Sequence, residues 1–177
     1  MADDIHISDY DPAWPSMFEA EKKRLEEVLP SNQVLDIEHF GSTAIPSLPA
    51  KPIIDILIAV QDVAAAREDF VPLLADLDYV FWADNPKTDR LFFVKGMPPY
   101  GERRTHHVHV CERPSEQWTR LMFRDYLRTH PDLAQEYAKL KKDLAQAHQH
   151  DREAYTDSKG NFVDNVMARA IAEKNRA

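Results

Sequence analysis

The chain has 177 residues and a mass of 20.4 kDa, 44% of it hydrophobic and only four residues glycine, which is enough to bury one core without disulfides or a structural metal. A formal charge of -8 and a pI near 5.4 speak against bulk nucleic-acid binding by charge neutralisation, but leave a small anionic ligand open if basic residues converge. Cys111 is the single cysteine, so no intrachain disulfide forms; with no apolar run long enough to span a bilayer and an acidic start at Met1-Ala2-Asp3-Asp4, the expectation is a reduced, cytoplasmic protein with no membrane function.

Phe18, Leu25, Val28 and Leu29 recur at helical spacing after Pro15, which predicts a first helix over 15–29, stopped by Pro30. Val34 to Phe40 reads as a strand and the isoleucine-rich Pro52 to Val60 as a stronger one, with a Gly-Ser turn and three prolines between them. Asp62 is placed to cap a second helix through Val63, Ala66, Phe70 and Leu74, with Pro72 expected to kink or shorten it. Tyr79–Trp82, Leu91–Val94 and His107–Val110 read as three further strands, the last two joined by a turn over 95–101. From Ser115 the pattern becomes helical: one helix to the break at His130-Pro131, a long one from Asp132, and a last one carrying Phe162, Val166 and Ile171. The expected architecture is α+β, a mixed or mostly antiparallel sheet with flanking helices and a helical C-terminal third. A single domain over 1–177 is expected, with its sheet core at about 15–113 and its helical part at about 115–175.

Alternation along the strand around Asp55 puts Ile54, Ile56 and Ile58 on one face and Asp55, Leu57 and Ala59 on the other. The same count sends His107, His109 and Cys111 to one side and Val108 and Val110 to the opposite side, with His106 on the valine side as a structural residue. If these strands are neighbours in register, one carboxylate and two imidazoles meet, a set that suits zinc, nickel or manganese better than magnesium. A solvated His-X-His pair on an edge strand stands level with that reading. Gly41 and Ser42 offer an unencumbered backbone and a hydroxyl to phosphate oxygens, and Lys51 a further contact, although Gly-Ser also ends many ordinary strands and Lys51 also suits solvent. Arg124 and Arg128 share a helix face, with Lys139, Lys142, Arg152 and Lys159 beyond, yet charged helix faces are commonly just solvated. No Walker loop, Cys-X-X-Cys or Gly-X-Ser-X-Gly elbow is present.

Glu38-His39-Phe40-Gly41-Ser42-Thr43-Ala44-Ile45-Pro46 followed by Ala50-Lys51-Pro52-Ile53-Ile54-Asp55-Ile56 resembles the signature of the GrpB family, bacterial proteins of about this length. The likeness extends to Trp14-Pro15, His107-Val108-His109, the 123–128 run, Tyr137, Leu140-Lys141, Asp151 to Tyr155, and Lys159. That family is similar to the nucleotidyltransferase superfamily, and a similar domain is fused to dephospho-coenzyme A kinase in some bacteria. The resemblance implies a nucleotidyltransferase-like fold in which Gly41 and Ser42 face phosphate and Asp55 is the first metal carboxylate, catalytic if the protein is an enzyme. It also implies a second carboxylate where this chain has Leu57, so the usual two-metal arrangement is broken.

Three functions follow as expectations. The first is a nucleotidyltransferase-like protein that holds a nucleoside triphosphate or other phosphorylated metabolite through Gly41, Ser42, Lys51, Arg124 and Arg128, with a divalent metal on Asp55, His107 and His109. The second is a non-catalytic binding or assembly module that keeps the fold. The third is a metal-dependent phosphoester hydrolase.

Overall fold

A computed structural model describes residues 5–176. Five strands form one sheet: β1 (Val34–Phe40), β2 (Ile54–Val60), β3 (Tyr79–Phe81), β4 (Leu91–Lys95) and β5 (His106–Glu112), in the order β1-β2-β5-β4-β3. The β2 and β5 pair is parallel and the others are antiparallel, so the sheet is mixed. Helices α1 (Trp14–Val28) and α2 (Val63–Ala75) cover one face, where Phe18, Leu25, Phe70 and Leu74 pack with Ile54, Ile56, Ile58, Val108 and Val110. Burying an aliphatic side chain contributes about 1.5–3 kcal/mol. Three fully buried isoleucines in one strand therefore fix its register, because a one-residue slip would turn Asp55 into that core.

Asp62 caps α2 as expected, its Oδ1 accepting from the backbone N–H groups of Ala64 and Ala65 at 2.8 and 3.0 Å. Pro72 does not end the helix, which continues to Ala75. The C-terminal part is more broken than the sequence predicts. The helix expected from Ser115 divides at Arg120 into α3 (Glu116–Thr119) and α4 (Leu121–Thr129), because the Arg120 N–H is shared between the carbonyls of Glu116 and Gln117 and the turn tightens there. After α5 (Pro131–Ala147) comes a short helix that hydrophobic periodicity alone misses, α6 (Arg152–Asp157), started by Asp151 accepting from Ala154 N at 2.9 Å. The chain closes with α7 (Gly160–Lys174).

A second apolar cluster joins Leu127, Tyr137 and Val166 of α4, α5 and α7 to Ile45 and Leu48 of the β1–β2 connection. This packing brings the C-terminal helices against the Gly-Ser turn. No helix among the described residues is long and apolar enough to cross a membrane.

Candidate functional site

The sequence left open whether Asp55 and the two histidines meet, and the parallel register decides it. Asp55 lies opposite His107, and Leu57 opposite His109, so all three polar side chains project from the sheet face away from α1 and α2. His107 Nδ1 lies 2.9 Å from Asp55 Oδ1 and His109 Nε2 lies 3.9 Å from the same oxygen. One ligand atom from each residue falls within 4.8 Å of the others. Phe92 of β4 packs against both imidazoles, with ring centroids 5.1 Å from His107 and 4.7 Å from His109, and Phe40 meets His109 edge-on at 5.9 Å. These aromatic walls hold the rings in place.

Burial alone would raise the Asp55 carboxyl, but hydrogen bonding and charge from His107 and His109 outweigh it and keep the group well below the usual carboxylate range. Burial pushes His107 down, only partly opposed by Asp55. The result is an ionised carboxylate accepting from a neutral imidazole, with side-chain exposures of 27% and 12%. His107 Nε2 and His109 Nδ1 are buried and find no hydrogen-bond partner among the described residues. Leaving a polar nitrogen buried and unpaired costs about 1–3 kcal/mol, and in each ring it is the nitrogen other than the one measured to Asp55 Oδ1 that lacks a partner. The donor set of two imidazoles and one carboxylate fits one divalent ion of the zinc, nickel or manganese kind.

Gly41 follows β1 with φ 69° and ψ -166°, a backbone region open to essentially glycine alone. A Cβ placed there would stand 2.5 Å from Asp55 Oδ2. Glycine thus lets the turn close directly over the carboxylate. Gly41→Ala is expected to destabilise the fold by about 2–3 kcal/mol through strain and crowding. Denaturant unfolding measures that loss, and wild-type stability in the variant would show that the turn is free to move away from Asp55.

The neighbours of the turn are fixed in turn. His39 is buried, stacked on Phe18, and hydrogen-bonded to Thr43 Oγ1 at 3.0 Å, with burial pushing its pKa down to about 4. It is a neutral strut. The Arg124 guanidinium is taken up by Glu38 at 2.6 Å, the His39 carbonyl at 2.7 Å and Asp125 at 2.7 Å. Arg128 donates to the Ala44 carbonyl at 2.9 Å. Both arginines therefore bind α4 to the turn region.

Three lysines lie on tyrosine rings of the C-terminal part. Lys51 and Lys159 both lie over the Tyr155 ring, their Nζ atoms 4.9 and 4.2 Å from its centre, and Lys141 lies 4.8 Å from the centre of Tyr137. Burial pushes Tyr137 up to about 12, Ser42 opposing the rise and the charge of Asp55 adding to it, and the same charge acts on Lys51 and Lys159. Lys51, Lys159 and Tyr137 thus lie within electrostatic reach of the Asp55 carboxylate that Gly41 covers. In the sequence the signal was a repeated Tyr-x-x-x-Lys spacing at 137/141 and 155/159, which stacks a lysine on a tyrosine one turn earlier.

The family model described as GrpB protein matches residues 4–169. The chain belongs to the GrpB family. A UPF0157 protein of Pseudomonas aeruginosa is 50% identical over 171 residues, covering 96% of this chain and 69% of that protein. The crystal structure of the conserved protein GrpB from Enterococcus faecalis superposes with a TM-score of 0.83 at 34% identity, covering 96% of this chain and 99% of that one. A dephospho-CoA kinase of Mycolicibacterium paratuberculosis is 32% identical over 183 residues, which take in 90% of this chain but only 44% of the kinase. The α+β fold with its mixed sheet and flanking helices is that of GrpB.

Proposed function

We propose that this GrpB protein is nucleotidyltransferase-like and binds a nucleoside triphosphate or another phosphorylated metabolite together with one divalent metal ion. The observation that carries the reading is the meeting of Asp55, His107 and His109, with two buried and unpartnered imidazole nitrogens, under the Gly41-Ser42 turn. Asp55 and the two imidazoles would hold the ion. When bound, such an ion supplies positive charge to a phosphoryl oxygen. Gly41 lets the turn backbone lie against the Asp55 carboxylate, Ser42 offers a hydroxyl, and Lys51 a charge. Phe40 and Phe92 keep water from the imidazole faces. The acceptor of any transferred group is open.

A second reading, a binding or assembly module without chemistry, is favoured by Leu57. It is fully buried at the position where the resemblance calls for a second carboxylate, and a related segment forms part of dephospho-CoA kinases.

Melting of the purified chain with zinc, manganese or magnesium, each with and without ATP, tests the proposal. A ligand at a hundredfold its Kd adds about 2.7 kcal/mol to stability, which for a chain of this size is a rise of roughly 5–10 °C. The expected result is a rise with zinc or manganese that grows when ATP is added. No rise across the panel sinks both the metal and the nucleotide.

A further inference from the structure

We propose that Lys51, Lys141 and Lys159, laid on Tyr137 and Tyr155, form a phosphate-chain subsite of their own, which takes two or more linked phosphoryl groups and does not require the metal. The inference deepens the reading above and rests on it only for the ligand being phosphorylated.

The argument starts from what these lysines lack. Lys141 is 1% exposed, and Lys51 and Lys159 are half-buried, yet no carboxylate among the described residues pairs with any of the three. Lysine is rarely buried without a partner, because desolvating an ammonium costs several kcal/mol. The Lys141 ammonium finds only the Pro49 carbonyl and the face of Tyr137, while Lys51 and Lys159 share one ring. Burial pushes Lys51 and Lys141 down to about 7 and Lys159 to about 8, helped by repulsion from Arg152 and Lys159 at Lys51, from Lys159 and Lys51 at Lys141, and from Arg152 at Lys159. A cluster that repels itself in the free protein is relieved by an anion.

The chemistry of the anion follows from the donors. Ammonium groups are compact point charges without the planar fork that selects a carboxylate, so they suit tetrahedral phosphoryl oxygens approached from several sides. Several cations from separate elements, the β1–β2 connection, α5 and the α6–α7 junction, match a charge spread along a chain better than a single phosphate. The subsite faces the metal ligands: the Asp55 charge acts on Lys51, Lys159 and Tyr137, and Lys141 lies on the Tyr137 ring. A phosphate chain seated there extends from the lysines toward Asp55.

The experiment is calorimetric titration of the full chain in EDTA with inorganic tripolyphosphate, ATP and sulfate. The expected result is one-to-one binding of tripolyphosphate in the absence of metal, with sulfate much weaker. Lys51→Met and Lys159→Met keep the aliphatic stem on Tyr155 and should each weaken binding about tenfold or more, by removing a charge-assisted contact. Their melting temperatures should equal or exceed that of the wild type, which separates lost binding from lost fold. ATP binding tighter than tripolyphosphate makes the chain part of a nucleotide, and equal binding makes it a free polyphosphate; both support the subsite. Absence of tripolyphosphate binding at millimolar concentration overturns the proposal, as do lysine variants that bind like the wild type. Tripolyphosphate binding in a protein whose melting ignores every metal would remove the metal reading and leave this one standing.

Discussion

Asp55→Asn is expected to abolish the metal-induced rise in melting temperature while leaving the fold intact. The amide keeps the shape of the carboxylate and can still accept the His107 Nδ1–H, now at 2.9 Å from Asp55 Oδ1, so the strand pair loses little. The proposed metal site loses the one carboxylate it has among the described residues. Removing even an outer partner of a metal ligand commonly costs ten- to a hundredfold in affinity, so losing the charge that faces the ion should cost about a hundredfold or more. Titration of both proteins with zinc against a competing chelator reads this directly, and equal affinities would refute Asp55 as a ligand. The dependence on pH carries a sign. Metal binding needs deprotonated donors, and both Asp55 and His107 titrate below their ordinary values in the folded chain. The wild-type metal effect should therefore fade on acidification, with Asp55 and His107 the last of the donors to take up protons. For each group the unfolded chain binds more protons between the two values, so acidification also lowers intrinsic stability.

The parts of this site differ in how far the sequence betrays them, and the difference is physical. Alternation in the Asp55 strand is local, so the split between Ile54, Ile56 and Ile58 on one side and Asp55, Leu57 and Ala59 on the other is visible from seven letters. The pairing of Asp55 with His107 is not local. It depends on a parallel register between strands more than fifty residues apart, which the apolar faces of β2 and β5 enforce but do not announce. The lysines were hidden for another reason. Lys141 and Lys159 stand on helices whose other lysines and glutamates are solvated, and only the packing of α5, α6 and α7 against the β1–β2 connection turns these two inward. Arg124 shows the reverse. Its place on a helix face beside Arg128 reads as a phosphate clamp, whereas Glu38 and the His39 carbonyl claim it. Local chemistry named the right kinds of residue, and tertiary contacts assigned them their work.

Leu57→Asp is the direct test of whether a second carboxylate could ever have served here, and the expected outcome is loss of fold stability with no gain of metal. Leu57 has no exposed surface and packs with Cys111 and Leu121, flanked by Phe40 and Trp118. These side chains form an apolar plug beside the Asp55 carboxylate on the same sheet face. An aspartate at 57 would be buried among carbon and sulfur atoms, and its nearest imidazole, His109 across the register, already faces Asp55. Burying an uncompensated charge costs about 3–5 kcal/mol, a large share of the stability of a domain of this size. Urea unfolding should show that loss, and metal analysis should return no more than one ion per chain. If instead the variant held its stability and took up two magnesium ions, the plug would have to yield to water, and the single-metal reading of this sheet face would be replaced by an ordinary two-metal one. The contacts of Leu57 argue for the first result. Leucine here is packed into an apolar cluster, so a carboxylate at 57 would require the surrounding side chains to change with it.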